Sequence, residues 1–380
     1  MEIKRIYSNI DVNKIMKKLN VDKPGIKIMS KKAKIYLFYI KNMHIGAANI
    51  LKQDALSIGA DLALPNGVIT CKFDRCDALL IGTKKHIEIL SRKELAQPYG
   101  LKNLAKELKS YLNENRFDLK IMGVINANDD SFYPNSRFKG SLAIKMIEKM
   151  IEDGADIIDI GGVSSRPGSE PVDTEEELSR VKPIIKEIYK NRLFEKAEFS
   201  IDSFRPEVIE FALNHGFKIA NDITGLRDDD VARVVSKMDA KIVIMHMKGN
   251  PKTMQIDPEY EDVTIEVSRF FDFQIKKAID FGIKKHNIII DPGIGFGKNL
   301  DHNIELLQNL EEFKKFGCEI LVGASRKSMI DKIFPSSVEK RLPGTLALHL
   351  KAFENGANII RCHDVYEHKQ AFEVFKELID

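Results

Sequence analysis

The chain of 380 residues is 43% hydrophobic and 30% charged, an ordinary composition for a soluble globular protein. Its net charge is only +3, from 59 basic and 56 acidic residues, so neither nucleic acid nor a membrane surface is expected as a partner. The four cysteines are too few and too scattered for a disulfide framework. Without a signal peptide or about 18 consecutive apolar residues, the chain is expected to be cytoplasmic.

The first part of the chain, residues 1–115, predicts a small α/β domain of unassigned role. Its predicted elements are strands at 33–40 and 78–82 and helices at 47–59 and 103–112. His44 and His86 are interpreted as structural or surface histidines. The polar stretch 113–120 is interpreted as the join to a second domain at 116–380.

From about residue 119, short apolar runs alternate with longer amphipathic segments. The eight runs lie at 118–125, 155–162, 197–203, 217–223, 240–246, 287–293, 318–324 and 357–363. Several are nearly continuous in Ile and Val, as expected of parallel strands buried on both faces. Gly154 and Gly216 are predicted C-terminal helix caps, and Pro206 lies in a predicted first turn.

Eight βα units over about 260 residues predict a (β/α)₈ TIM barrel. An open doubly wound sheet is the alternative. Within the first strand, Ile121 to Ile125 are expected to fill the barrel interior.

Polar residues follow every predicted strand, at the end where such barrels form their active sites. In strand order they are Asn126, Asn128, Asp129, Asp130 and Ser131; Ser164, Ser165, Arg166 and Pro167; Asp202 and Ser203; Asn221 and Asp222; His246 and Met247; Asp291; Ser325, Arg326 and Lys327; and Arg361, His363 and Asp364. Helix N-caps explain some of the acidic and amide residues. They do not explain the cations, which the helix dipole disfavours unless an anion binds there.

Five of these residues therefore predict a phosphate or diphosphate pocket: Arg166, Arg326, Lys327, Arg361 and His363. The carboxylates and the amide of Asp202, Asn221 and Asp291 suit a heterocycle that carries amino and ring N–H donors. The glycine-rich segment 291–298 is similar to a phosphate loop, but Asn299 stands where such a loop has Ser or Thr. Its glycines are interpreted instead as a tight backbone turn beside a ligand.

Taken together, these motifs resemble dihydropteroate synthase, the pterin-binding enzyme of folate synthesis, from about residue 118 to 378. They read MGVINANDDSF, GADIIDIGGVSSRPG, FSIDSFRPEVIEFAL, IANDITG, IVIMHMKGNPKTMQ, IIIDPGIGFGK, VGASRKSMI and RLPGTLALHLKAFENGANIIRCHDV. The resemblance implies a transferase that condenses 6-hydroxymethyl-7,8-dihydropterin diphosphate with 4-aminobenzoate. The products would be 7,8-dihydropteroate and diphosphate. It also implies a homodimer and competition by sulfonamides.

The resemblance further implies a role for each matching residue. The pterin would contact Asp202, Asn221, Asp291, Lys327 and Met245 or Met247; the diphosphate would contact Asn126, Arg361 and His363; 4-aminobenzoate and the mobile loops would involve Phe132, Ser165, Arg166, Pro167 and Ser325. Asn126 would also hold Mg²⁺. Asp130, Lys327 and Arg361 would be catalytic.

In the implied reaction, Mg²⁺ and the cations stabilise the leaving diphosphate, and the amine attacks a pterin-stabilised cation. Asp130 would help to stabilise that cation in a loop that excludes water. The chain departs from the family pattern at Asn128 and Asp129, which replace Thr and Pro, and at Val163, which replaces Glu.

Two other functions remain open at this point. One is a pterin-barrel methyltransferase that passes a methyl group from a reduced folate to a corrinoid. It would share Asp202, Asn221 and Asp291 but has less need of the basic groups after the last two strands. The other is a non-catalytic pterin-binding protein.

Overall fold

A computed structural model describes residues 3, 4, 6, 11–112, 115–127, 141–163, 172–249, 254 and 256–379. The chain divides into two compact units, Met1–Glu114 with Lys376–Asp380, and Asn115–Phe375. Within the described ranges, no helix combines the length and apolarity needed to cross a membrane.

The first unit contains a three-stranded antiparallel sheet. Its elements are α1 (Val12–Lys18), α2 (Lys23–Met29), β1 (Ile35–His44), α3 (Ile45–Ser57), β2 (Asp61–Ala63), β3 (Arg75–Thr83), α4 (Lys84–Lys93) and α5 (Leu101–Ser110). The strand order is β1-β3-β2. The predicted strands and helices of this unit are confirmed, whereas α1, α2, β2 and α4 were not predicted.

Two histidines of the first unit cap helices. His44 Nδ1 accepts a hydrogen bond from the Gly46 N–H at 3.0 Å, at the start of α3. His86 Nδ1 accepts one from the Thr83 N–H at 3.2 Å, at the start of α4. Both bonds satisfy donors that a helix N-terminus otherwise leaves unpaired.

The second unit is a closed barrel of eight parallel strands surrounded by helices. Its strands are β4 (Lys120–Asn126), β5 (Ile157–Gly161), β6 (Glu198–Asp202), β7 (Ile219–Asp222), β8 (Lys241–Met245), β9 (Ile288–Asp291), β10 (Glu319–Val322) and β11 (Ile359–Cys362). Its helices are α6 (Ser141–Glu152), α7 (Thr174–Lys190), α8 (Pro206–Leu213), α9 (Asp229–Lys237), α10 (Val263–Asp280), α11 (Leu300–Gln308), α12 (Ser328–Ile333), α13 (Leu342–Glu354) and α14 (Val365–Ile379).

The strands are paired in the order β10-β11-β4-β5-β6-β7-β8-β9, and β9 pairs with β10 to close the ring. Every predicted apolar run overlaps one of these strands, so the (β/α)₈ prediction is confirmed and the open sheet is excluded. The predicted helix caps are also confirmed: Pro206 is the first residue of α8, and Gly154 and Gly216 have positive φ angles of 99° and 88°.

The barrel strands separate two apolar layers. The inner layer takes one residue from each of seven strands: Met122, Ile157, Ile219, Val243, Ile289, Leu321 and Ile359. Ile121 and Ile125 instead pack with helix residues such as Ile147 and Val181 in the outer layer. The expectation that Ile121 to Ile125 all fill the interior was wrong, because successive side chains of a strand alternate between its two faces.

Candidate active site at the carboxyl ends of the strands

The strand register aligns three predicted site residues in one row across the barrel rim. Asn126 pairs with Gly161, Gly161 with Asp202, and Asp202 with Asn221. Gly161 carries no side chain, so the row leaves space between Asn126 and Asp202. A Cβ at this glycine would lie 3.4 Å from the Asp202 Cβ. Parallel pairing therefore brings together residues from β4, β6 and β7 that are far apart in the chain.

Arg361 on β11 links this row to a buried carboxylate on β5. Its Nε donates to Asp159 Oδ2 at 2.7 Å, and its Nη2 donates to Asp202 Oδ2 at 2.8 Å. Asn221 Nδ2 also donates to Asp159 Oδ2, at 3.1 Å. Arg361 Nη1 makes no hydrogen bond to a described residue, and the side chain remains 24% exposed. It therefore keeps one donor group available at the mouth of the barrel.

Burial sets the protonation of the carboxylates in this network. Burial raises the pKa of Asp202 to about 7, opposed by the Arg361 charge and reinforced by Asp159. Burial also raises the pKa of Asp291, while its hydrogen bond from the Gly293 N–H, 2.7 Å long, and the Lys327 charge oppose that shift. The mouth thus holds carboxyl groups with perturbed pKa values, which is typical of a functional site.

Lys327 lies directly before α12, after the strand β10 that pairs with β11. Its Nζ donates to the Ile294 carbonyl and lies 4.5 Å from the centre of the Phe296 ring. Burial lowers the pKa of Lys327 to about 8, and the Arg361 charge adds to that effect while Asp291 opposes it. Lys327, after β10, and Asp291, the last residue of β9, therefore add a second cation and a second carboxylate to the site.

A buried apolar cluster, called the apolar slot from here on, lies next to these polar groups. It consists of Ile223, Met245, Met247 and Met254, with Phe204 and Phe296 packed against them. Met245 and Met247 were predicted here, and each is only 3% exposed. Phenylalanine rings are flat and the methionine sulfur is polarisable, so both suit contact with a planar heterocycle.

The turn after β10 holds one predicted pair together and removes one predicted cation. Ser325 Oγ and His363 Nδ1 are 2.8 Å apart, as expected of neighbouring strand ends. Arg326, however, binds both oxygens of Asp364 at 2.9 and 2.7 Å and the carbonyls of Val338 and Glu339. Its guanidinium is consumed by these contacts, so the expectation that Arg326 lines an anion pocket was wrong.

The glycine-rich segment after β9 is a tight turn around a buried lysine. Gly293 has a φ of +69°, and a Cβ there would lie 2.0 Å from the His246 carbonyl oxygen. Lys298 is 2% exposed, and its Nζ binds the carbonyls of His246, Gly293 and Phe296 at 2.9–3.2 Å. A lysine bound in this way cannot reach a phosphate, which favours the interpretation of these glycines as a backbone turn.

Asn126 is the predicted Mg²⁺ ligand among the described residues. It is half-buried at the last position of β4. No group of three or more His, Cys, Asp or Glu side chains within the described ranges could hold a metal ion by itself. A single amide oxygen cannot hold Mg²⁺ alone. It fits a Mg²⁺ ion whose other ligands are substrate phosphate oxygens and water, as is usual for this ion.

Five predicted site residues lie outside the described residues: Asp130, Phe132, Ser165, Arg166 and Pro167. The predicted site residues that are described converge on one mouth, where His363 contacts Ser325. Burial lowers the pKa of His363 to about 3, and the Arg361 charge adds to that effect. His363 is therefore a neutral hydrogen-bonding group at neutral pH rather than the predicted cation.

Sequence reasoning missed Asp159 and part of the apolar slot. Asp159 is fully buried and lies in the middle of the run 155–162, where a carboxylate inside a continuous apolar strand was a usable signal. Met254, Phe204 and Phe296 carry no such signal, because apolar residues in loops are common in any sequence.

The first unit has a cavity of its own, of about 450 Å³. It is lined by Ile40, Asn42, Met43, His44, Ala47, Arg75, Tyr99, Gly100, Leu101 and Leu104. The rings of His44 and Tyr99 stack 4.6 Å apart with an angle of 1° between their planes. Arg75 Nη1 donates to the Asn42 carbonyl at 2.8 Å.

Comparison with known proteins gives a consistent family. The family model of pterin-binding enzymes matches residues 122–363. A bifunctional dihydropteroate synthase/dihydropteroate reductase of Helicobacter pylori is 39% identical over 379 residues, which cover 100% of this chain and 99% of that protein. A dihydropteroate synthase of Haemophilus influenzae is 42% identical over 262 residues, covering 68% of this chain and 94% of that protein.

A solved structure shares the barrel as well. The crystal structure of Yersinia pestis dihydropteroate synthase with a sulfonamide drug complex has a TM-score of 0.66 and 35% identity, covering 69% of this chain and 94% of that chain. With the family model, these matches show that the chain belongs to the pterin-binding enzymes, among the dihydropteroate synthases.

Proposed function

We propose that this protein is a dihydropteroate synthase. It joins the methylene carbon of 6-hydroxymethyl-7,8-dihydropterin diphosphate to the amino group of 4-aminobenzoate and releases diphosphate. The observation that carries the proposal is the single barrel mouth in which Asp202, Asn221 and Asp291 lie beside an apolar slot and two cations, Lys327 and Arg361. The relatives named dihydropteroate synthase support the same reaction.

The pterin is proposed to lie in the apolar slot with its polar edge on the buried carboxylates. Its amino group and ring N–H groups are donors, which match the acceptor oxygens of Asp202 and Asp291 and the carbonyl of the Asn221 side chain. Met245 and Met247 would cover its flat face. A site that leaves few unpaired polar atoms with this ligand would reject planar rings that lack those donors.

The diphosphate is proposed to lie between Asn126 and Arg361. Arg361 Nη1 is available to a phosphate oxygen, and His363 adds a neutral hydrogen bond. Asn126 and the diphosphate itself would hold Mg²⁺, which would neutralise the charge that develops on the leaving group. The roles of Asp130, Phe132, Ser165, Arg166 and Pro167 toward the cation and 4-aminobenzoate remain proposals of the family resemblance.

The synthase assay measures diphosphate and dihydropteroate formed from dihydropterin diphosphate, 4-aminobenzoate and Mg²⁺. Equal amounts of both products are expected, together with competition by sulfonamides. Saturable pterin binding without turnover would favour the non-catalytic alternative, and methyl transfer from a reduced folate to a corrinoid would favour the methyltransferase. Light scattering on the same protein tests the proposed homodimer.

The Arg361→Ala variant tests the diphosphate assignment. Loss of a hydrogen bond to a charged group typically removes about 1.5–3 kcal/mol, so turnover should fall by about ten- to a hundredfold. Arg233→Ala, which removes an exposed arginine paired with Asp230, is the matched control and should keep full activity. Activity of the Arg361 variant within a factor of two of wild type would refute the assignment.

We also propose that the chain reduces dihydropteroate, with the first unit required for this second reaction. The relative with a reductase in its name matches the whole chain, whereas the relative named only as a synthase covers 68% of it. Reduction adds a hydride to C6 and a proton to N5 of the dihydropterin ring, so a hydride donor is needed. The cavity in the first unit, with its stacked rings and Arg75, has the size and lining of a small-molecule site.

The reductase assay uses dihydropteroate with a reduced nicotinamide or a reduced flavin, and measures tetrahydropteroate. Arg75→Ala should lower this activity and leave synthase turnover unchanged. Arg92→Ala, on α4 of the same unit but not in the cavity lining, is its control. If no tetrahydropteroate forms with either of the two donors, the reductase proposal is refuted and the synthase proposal is unaffected.

A further inference from the structure

A row of two buried histidines lies behind the turn that carries Ser325 and Lys327. His349 on α13 and His368 on α14 are both 0% exposed. His349 Nε2 accepts the Ala324 N–H at 2.9 Å, and His349 Nδ1 is 2.8 Å from His368 Nε2. His368 Nδ1 is in turn 2.5 Å from the Asp364 carbonyl oxygen.

The two ends of this row fix the position of every proton in it. The Ala324 N–H can only donate, so His349 Nε2 carries a lone pair and its proton lies on Nδ1. That proton points to His368 Nε2, which must therefore accept. His368 keeps its proton on Nδ1 and donates to a carbonyl, which can only accept. Both rings are neutral, and burial lowers the pKa of each of them, with the other histidine adding to the shift at His349.

The row closes a loop of contacts around the turn. Its far end, Asp364, binds the Arg326 guanidinium through both carboxylate oxygens. Thr345, one turn before His349 on α13, accepts the Arg326 N–H at 2.9 Å. Arg326 itself has a positive φ of 55°, an unfavourable conformation that such contacts must hold in place. The turn is therefore tied to both outer helices.

The Ala324 N–H lies beyond the reach of the sheet. The β10–β11 pairing ends at Val322 and Ile360, so no strand partner accepts this donor. His349 replaces that partner, and its contact lies one residue before Ser325 and three before Lys327. A shift of the turn by about 1 Å would misplace both side chains, and displacements of that size can lower rates by about a hundredfold.

We propose that His349 and His368 are positioning residues for the synthase reaction, which together hold the β10 turn so that Ser325 and Lys327 face the substrates. The inference rests on the proposed synthase function. Neither histidine reaches the mouth of the barrel, so their effect passes through the turn. A leucine at either position would fill the volume but would break the row of hydrogen bonds.

The test compares His349→Leu and His368→Leu with His349→Gln, whose side-chain amide can replace both ring contacts. The leucine variants should lose about ten- to a hundredfold in kcat/KM, and the alkaline limb of their pH profile should shift, since the position of Lys327 sets its pKa. The glutamine variant should keep the wild-type limb and most of the rate. His215→Leu, which removes a ring hydrogen bond to the Phe211 carbonyl on α8, controls for simple loss of stability.

Folded leucine variants with the wild-type limb and rates within a factor of two would overturn the proposal. If the leucine variants do not fold, nitrogen-15 NMR of histidine in the wild-type protein decides instead. A proton on Nδ1 of both rings is expected, and a proton on Nε2 of His349 would overturn the proposal. Wild-type turnover in the same assay separates this outcome from failure of the synthase function itself.

Discussion

Asp159 is the residue on which the charged half of the site depends. It is fully buried and receives hydrogen bonds from both Arg361 and Asn221, while its charge raises the pKa of the neighbouring Asp202. A buried carboxylate of this kind is stable only because the arginine and the amide compensate its lost hydration. Its position, rather than any contact with substrate, sets the direction of the Arg361 side chain.

Replacement of Asp159 by Asn should therefore lower synthase kcat/KM by about ten- to a hundredfold, because Arg361 loses a charged partner. The amide keeps the size of the side chain, so the barrel should still fold. Glu198→Gln, which removes a half-buried ion pair with Lys241 at the amino-terminal ends of the strands, far from the mouth, should leave kcat/KM unchanged. Equal rates in the two variants would contradict this role.

The pKa of Lys327 predicts the pH at which activity falls on the alkaline side. Its pKa of about 8 belongs to the free protein, and kcat/KM reports pKa values of the free enzyme. If the charged amine is the active form, kcat/KM falls as the pH rises through about 8.

In the Lys327→Arg variant this limb should leave the measured range, because a guanidinium stays charged far above pH 8. Lys332→Arg, an exposed lysine on α12, should keep the wild-type limb. A limb that stays near pH 8 in the Lys327→Arg variant would assign it to another group.

At the scale of elements, the turn after β9 depends on glycine more than any strand does. Ala at Gly293 would combine a positive φ with a clash against the His246 backbone. We expect it to lower the free energy of unfolding by clearly more than about 1 kcal/mol, the cost of the φ alone, and to weaken pterin binding.

Gly154→Ala is the comparison for that variant. Gly154 also has a positive φ, but its added Cβ would meet only the flexible end of Lys369. Urea unfolding of both variants measures the difference, and equal losses would show that the clash is relieved by a movement of the turn.

The sequence was sufficient to locate the barrel strands but not all of their neighbours. Buried parallel strands are continuous apolar runs, a pattern that needs no knowledge of tertiary contacts. The three residues of β2 are too few to show periodicity, and the capping box of α4 pairs Thr83 with a histidine at the third helical position instead of Glu or Gln. The local sequence pattern was therefore not enough to predict β2 and α4.

The same limit applied to the site. Asp202, Asn221 and Asp291 were found because they end strands, and strand ends share one rim. Whether a cation faces the ligand or a protein carboxylate depends on contacts between distant segments. Arg326 and Lys327 are adjacent in sequence, yet one binds Asp364 and the other lies beside Phe296.

At the scale of the whole molecule, the two units divide the proposed functions between them. All described site residues of the synthase lie within Asn115–Phe375, whose strands close into a complete barrel. A chain of residues 115–380 should therefore keep synthase kcat/KM within about threefold, because a closed barrel has its own core. The same chain should lose dihydropteroate reduction.

Both activities are measured on the full chain as the reference. If the shorter chain still reduces dihydropteroate, the reductase activity is assigned to the barrel and not to the first unit. A folded shorter chain without synthase turnover would show that the first unit takes part in the first reaction.

The lowered pKa of Lys327 also predicts a reactive amine. With a pKa of about 8, roughly a tenth of this amine is neutral at pH 7, whereas an ordinary lysine is almost wholly charged. Lys298 has an even lower pKa of about 7 but is sealed inside the β9 turn. A pterin analogue that carries an aldehyde beside the slot would therefore form an imine with Lys327 while leaving Lys298 untouched, and so would mark the barrel mouth by a covalent bond.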